Sequence, residues 1–149
     1  MDKGDDNTHK MFHGITPTVD EIQNSMLTQA PSEKEIKASL FYLYIDSVAG
    51  PDGFSNKFFM FYWDIIQLEV YNAVRYFINH VYMPCGVNEN YISLIPKTEN
   101  ALDIKDFISV AIGNSIPKAI SKIMAFRLGE IAKDFTTNNQ FGFVPGWNI

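Results

Sequence analysis

Asn90-Tyr91-Ile92-Ser93-Leu94-Ile95-Pro96-Lys97-Thr98-Glu99-Asn100, followed by Phe107-Ile108-Ser109-Val110-Ala111-Ile112-Gly113-Asn114-Ser115-Ile116-Pro117, decides how this chain is read. Residues 91–95 alternate loosely, favour a strand and stop at Pro96, which lacks the N–H that a ladder needs. Residues 97–100 supply turn chemistry, and residues 107–112 form a second apolar run of strand length before the breaker Gly113. A hairpin-like antiparallel pair with a long connection is predicted. Asn114 or Ser115 can cap the helix that follows, and Pro117 suits its first turn, where an absent donor costs nothing. Ile116, Ile120, Ile123, Met124, Leu128 and Ile131 then recur at helical spacing and predict one apolar stripe. Lys118 and Lys122, one turn apart, share another face.

Working outward, a long helix is predicted from its cap at Ser55 through Phe58, Phe59, Tyr62, Ile65, Ile66, Val70, Val74, Phe77 and Ile78, ending at Pro84-Cys85-Gly86. Its stripe is wide and aromatic, which suggests burial on more than one side, as core rather than as a base-stacking platform. Before it, Gly50-Pro51-Asp52-Gly53 reads as a tight turn joining two helices. An earlier helix starts at Ser32, with Glu35 three residues on as a capping box, carries Ile36, Leu40 and Leu43 inward, and should end near Asp46. Residues 1–29 read as a flexible acidic lead-in with one or two helical turns around residues 19–23. His9 and His13 are four apart, but without a third ligand they read as solvated imidazoles rather than a metal site.

Composition sets limits. The 149 residues suit one domain or part of a larger one, and 46% apolar content is enough for a core. The formal charge is −5 and unevenly placed: residues 1–52 hold 4 Lys/Arg against 9 Asp/Glu, whereas residues 91–149 hold 6 against 5. Phosphate neutralisation dominates nucleic-acid affinity, so such a chain alone should bind nucleic acid weakly. Cys85 is the single cysteine, which excludes an intramolecular disulfide and a cysteine zinc cluster. No apolar run approaches bilayer length and the N-terminus is unlike a secretory signal, so the expected setting is intracellular, cytoplasm or nucleus, with no membrane partner.

These same residues carry a family resemblance. Leu94-Ile95-Pro96-Lys97-Thr98-Glu99-Asn100, then Asp106-Phe107, Asn114, and Lys118-Ala119-Ile120-Ser121-Lys122-Ile123-Met124-Ala125 followed by Arg127-Leu128, resemble the front part of the reverse transcriptase domain of non-LTR (LINE-type) retrotransposons, particularly the plant kind. Gly50-Pro51-Asp52-Gly53-Phe54 upstream, and Asn139-Gln140 with Phe143-Val144-Pro145-Gly146 downstream, agree in order. The resemblance covers residues 27–149, and ordered pieces are more specific than any one motif.

The resemblance implies an α+β, predominantly helical chain: a partial right-hand polymerase fold, the fingers region with a small antiparallel sheet, spanning residues 30–149. The family's catalytic aspartates lie beyond Ile149, so the palm active site is absent and no catalytic residue is assigned. Magnesium would belong to the complete polymerase, and no cofactor or metal is expected in this chain. Lys97 matches a lysine that meets the incoming nucleotide's phosphates. Gly50, Asp52, Gly53, Lys122 and Arg127 match template-contact positions, although for Lys122 and Arg127 an exposed helix face or a helix-end charge is the plainer reading. The partner implied is an RNA/DNA template–primer.

Departures from the pattern matter. Where the family reads Asp-Phe-Arg-Pro-Ile, this chain reads Asp106-Phe107-Ile108-Ser109-Val110, so the triphosphate-contacting arginine is Ile108. Trp147 replaces an arginine, and Pro117 a tyrosine. Loss of a transition-state charge contact costs several kcal/mol, roughly a thousandfold in rate. The expected function is therefore a truncated, inactive fragment of an RNA-directed DNA polymerase that retains fingers elements. The alternative is a stand-alone helical protein-interaction module that binds a protein partner through exposed apolar surface.

Overall fold

Asp20 opens the first helix with a reciprocal cap. Its carboxylate accepts from the Gln23 backbone N–H at 2.7 Å, and the Gln23 side chain accepts from the Asp20 N–H at 3.1 Å. Helix α1 then runs Glu21–Thr28, extending past residues 19–23 through the stretch read as lead-in. The structure, a computed structural model, describes residues 19–135. His9, His13, residues 139–140 and 143–146, and Trp147 lie outside the described residues.

Ser32 accepts from the Glu35 N–H at 3.1 Å and starts α2, Glu33–Tyr42, whose Ile36 and Leu40 are wholly buried. The helix stops before Asp46 because Leu43 is already extended, at φ −65 and ψ 145. A turn follows in which the Gly53 N–H donates to the Gly50 carbonyl at 3.0 Å, with Gly53 at φ +78.

The single long helix predicted from Ser55 is two helices, α3 (Asn56–Phe61) and α4 (Trp63–His80), broken at Tyr62, where φ is −97 and ψ 14. Phe58, Phe59, Phe61, Tyr62 and Trp63 crowd this region, and aromatic side chains lose χ1 freedom against a preceding helical turn. Beyond the break Trp63 enters the core, edge-on to Phe41 at 5.3 Å and to Tyr71 at 5.6 Å. Nor is α4 buried on more than one side. Val70, Tyr71 and Val74 face inward, while Ile65, Leu68 and Tyr76 remain exposed, as do Phe61 and Tyr62 just before the helix. The helix ends before Pro84, at Val81, which takes the left-handed conformation at φ 51.

Strands β1 (Asn90–Pro96) and β2 (Phe107–Gly113) form a two-stranded antiparallel sheet in which Asn90 pairs with Gly113, Ile92 with Ala111, Ile95 with Ile108 and Pro96 with Phe107. A 3-10 turn at Ile104–Asp106 leads into β2. Helix α5 (Ser115–Phe135) packs chiefly along α2 and also against α1 and α4. Its inward side is Ala119, Ile120, Ile123 and Ile131; Met124 and Leu128, placed on the stripe by spacing, are exposed. Together with Ile36, Leu40, Phe59, Trp63, Val70 and Val74, that inward side makes the core. Among the described residues no helix is long and apolar enough to cross a membrane.

Candidate nucleic-acid interface

The corner between β2 and α5 is built on Asn114. Its Oδ1 accepts from the Asp52 backbone N–H at 3.1 Å, and its Nδ2 donates to the carbonyls of Gly86 at 3.0 Å and Val87 at 2.8 Å. One buried amide thus ties the Gly50–Gly53 turn and the loop before β1 to the start of α5. Ser115 is also engaged, donating to Asn56 Oδ1 at 2.6 Å while Asn56 Nδ2 donates to the Tyr44 carbonyl and Ser47 Oγ. These buried polar groups are satisfied by one another, which keeps the corner rigid.

The corner fixes where the predicted template-contact residues point. Gly50 is buried: a Cβ there would lie 2.6 Å from both the Asn114 nitrogen and the Gly113 carbonyl carbon. The Asp52 carboxylate accepts from the Phe54 N–H at 2.9 Å and closes the turn. Gly53 is exposed with open space where a side chain would be. Arg127 is spoken for: Nε and Nη2 meet the Glu35 carboxylate, and Nη1 donates to the carbonyls of Leu27 and Gln29.

Lys97 stands apart. It follows the Pro96–Phe107 end of the sheet, a strand's length of roughly 20 Å from the Asn90–Gly113 end at the corner. Its ammonium donates to the Lys105 carbonyl at 2.7 Å. The structure therefore brings Gly50 and Asp52 together around Asn114, but not with Lys97. Ile108, at the family's arginine position, is half exposed beside Ile95.

What the corner does form is a groove of about 500 Å³ between the sheet end and α5, lined by Asn88, Asn90, Lys118, Ser121 and Lys122. Lys122 and Ala125 also line a second recess of about 1110 Å³, shared with Met26, Tyr42 and Phe126. The two recesses meet at Lys122, whose ammonium lies 3.8 Å from the Tyr42 ring centre and 4.6 Å from that of Phe126. Tyr42 and Phe126 themselves meet edge to face at 5.2 Å. A cation over an exposed ring gains about 0.5–1 kcal/mol, so Lys122 rests there without being locked in place.

Of these, sequence spacing shows only the Lys118–Lys122 pair. Asn88, Asn90, Ser121, Tyr42 and Phe126 carry no local signal, because Tyr42 reaches the site only through the packing of α2 on α5. Among the described residues no group of three or more His, Cys, Asp or Glu is placed to hold a metal ion.

No family model matches the chain. It is 23% identical over 144 residues to a protein of Xenopus laevis described as "Transposon TX1 uncharacterized 149 kDa protein", a match covering 97% of this chain and 11% of that protein. The chain spans about a tenth of the length of the curated relative it matches. The similarity supports a retrotransposon-derived origin.

Proposed function

We propose that this chain is part of the fingers of a reverse transcriptase from a non-LTR retrotransposon of the plant kind, and that it grips a nucleic-acid backbone without itself polymerising. The ordered motifs and the transposon similarity support the ancestry. The grip rests on one observation: Lys118 and Lys122, one turn apart on α5, line the same groove as Asn88 and Asn90. Lysines bind phosphate as point charges, and amides add hydrogen bonds to sugar and base. Replacement of the family's triphosphate arginine by Ile108 argues for holding rather than chemistry. With a net charge of −5 the affinity is modest and strongly salt-dependent. Such a role belongs inside the cell, in cytoplasm or nucleus.

The test is fluorescence anisotropy of a labelled primer–template across a salt series, with thermal unfolding of the same sample. Binding at low salt that weakens in the Lys118→Gln/Lys122→Gln double variant is expected. A cooperatively folded protein that does not bind at low salt refutes the grip. The alternative, a protein-interaction module, draws on the apolar residues Tyr91, Ile92, Leu94 and Ile95 exposed along β1, and it is the reading such a result leaves.

A further inference from the structure

Asn114 also lines a recess of about 590 Å³ between α3, α4 and the loop before β1, walled by Phe54, Phe58, Ile66, Val70 and Ala73. A smaller and more enclosed recess of about 130 Å³ adjoins it: Ala73, Val87 and Ile116 belong to both, and Phe77, Met83 and Ile120 complete the inner one. We propose that this pair of recesses binds a small amphipathic organic cation, with an aryl or short alkyl part in the inner recess and the cationic group beside Asp52 and Glu69 in the outer one. The site is independent of the nucleic-acid grip, which uses the groove at Lys118 and Lys122.

Size and rigidity point to a small molecule. The outer recess falls within the roughly 300–1,000 Å³ of small-molecule sites, and the inner one is close to the ~150 Å³ that holds a benzene ring. Part of the wall is fixed in advance, because Asn114 Nδ2 holds the carbonyls of Gly86 and Val87 at 3.0 and 2.8 Å, so this loop need not order itself around a ligand.

Charge selects a cation. Asp52 and Glu69 are exposed, and among the described residues neither stands in an ion pair. No Lys, Arg or His lines either recess, so an anion would meet two carboxylates and no counter-charge. Phe54 and Phe58 meet at 4.6 Å, which stands an aromatic pair in the same recess as the carboxylates. Aromatic rings and carboxylates together suit an ammonium group with an apolar body, whereas a neutral ligand would use the walls alone.

The experiment titrates the full chain by calorimetry with tetraphenylphosphonium and, separately, with tetraphenylborate, which has the same shape and the opposite charge. Cys85 lines the outer recess, is exposed and is the chain's single cysteine, so its alkylation by iodoacetamide reports occupancy of the site in the unaltered protein. The cation is expected to slow that alkylation and to bind roughly tenfold more tightly than the anion. Glu69→Gln should weaken the cation about two- to fivefold, less so at high salt. Ala73→Leu, which fills the junction of the two recesses, should remove both binding and protection. Equal affinity for cation and anion shows an apolar surface without charge selection and overturns the proposal. Binding that leaves Cys85 alkylation and the Ala73→Leu variant unaffected lies elsewhere and overturns it as well. A cooperatively folded protein that binds neither probe also refutes it, and leaves the recess to a protein surface. The probe pair and the thiol readout need only the wild-type chain, and since no nucleic acid is present, failure here is distinct from failure of the grip.

Discussion

The guanidinium of Arg127 grips the carboxylate of Glu35 through two parallel contacts, Nε to Oε1 at 2.7 Å and Nη2 to Oε2 at 2.9 Å. Its Nη1 reaches the Leu27 and Gln29 carbonyls at 3.1 and 2.6 Å, so one side chain from α5 also closes the C-terminal end of α1. With the Arg127 side chain only 10% exposed, Arg127→Ala should cost about 2–4 kcal/mol, measured by urea denaturation. Arg127→Lys should recover little, because an ammonium cannot make the paired contact. Loss of nucleic-acid binding without loss of stability would show instead that Arg127 serves a ligand.

Two glycines of one turn should respond differently to the same change. Gly50→Ala places a methyl 2.6 Å from backbone atoms of Gly113 and Asn114 and should destabilise by about 3 kcal/mol, since neither backbone can give way. Gly53→Ala meets nothing within 4 Å and suffers only its positive φ of 78, roughly 1 kcal/mol. Thermal unfolding of both variants checks the order, and equal losses would show that the close approach at Gly50 is not what demands glycine.

Tyr71 gives the fold an alkaline limit. Burial raises the pKa of its phenol, the Glu33 carboxylate raises it further, and Arg75 works against both. A raised folded-state pKa means that the neutral phenol favours folding. This contribution is complete below the unfolded value of about 10 and is lost as pH rises through the folded value. The melting temperature should fall as pH rises from about 10 through the folded value, and less steeply in Tyr71→Phe. An identical fall in both proteins would assign it to other groups.

Features set by neighbouring residues are legible in the sequence. Ser32 and Ser55 cap helices because a cap needs only a backbone N–H three residues away. The strands follow from β-formers bounded by turn residues. What depends on distant chain was not legible: Glu35, which looks like half of a capping box, is claimed by an arginine 92 positions later. Met124 and Leu128 fit the stripe of α5 by spacing, yet are exposed while Ala119 is buried. The break at Tyr62 has no glycine or proline to announce it. Of the candidate site, the two lysines could be seen in the sequence, but the aromatic pair could not, since Tyr42 and Phe126 become neighbours only once α2 lies on α5.

Among the described residues the sheet has two strands, and apolar side chains stand exposed on both of its surfaces, Tyr91 and Ile95 on one, Ile92 and Leu94 on the other. Such a pair is marginal in water by itself. Its amide protons should exchange with solvent well before those of α2 and α5, which surround the core. Heating this chain would then produce two events, a silent unzipping of the arm and a later collapse of the helices, and a probe that watches helix alone would overlook the first.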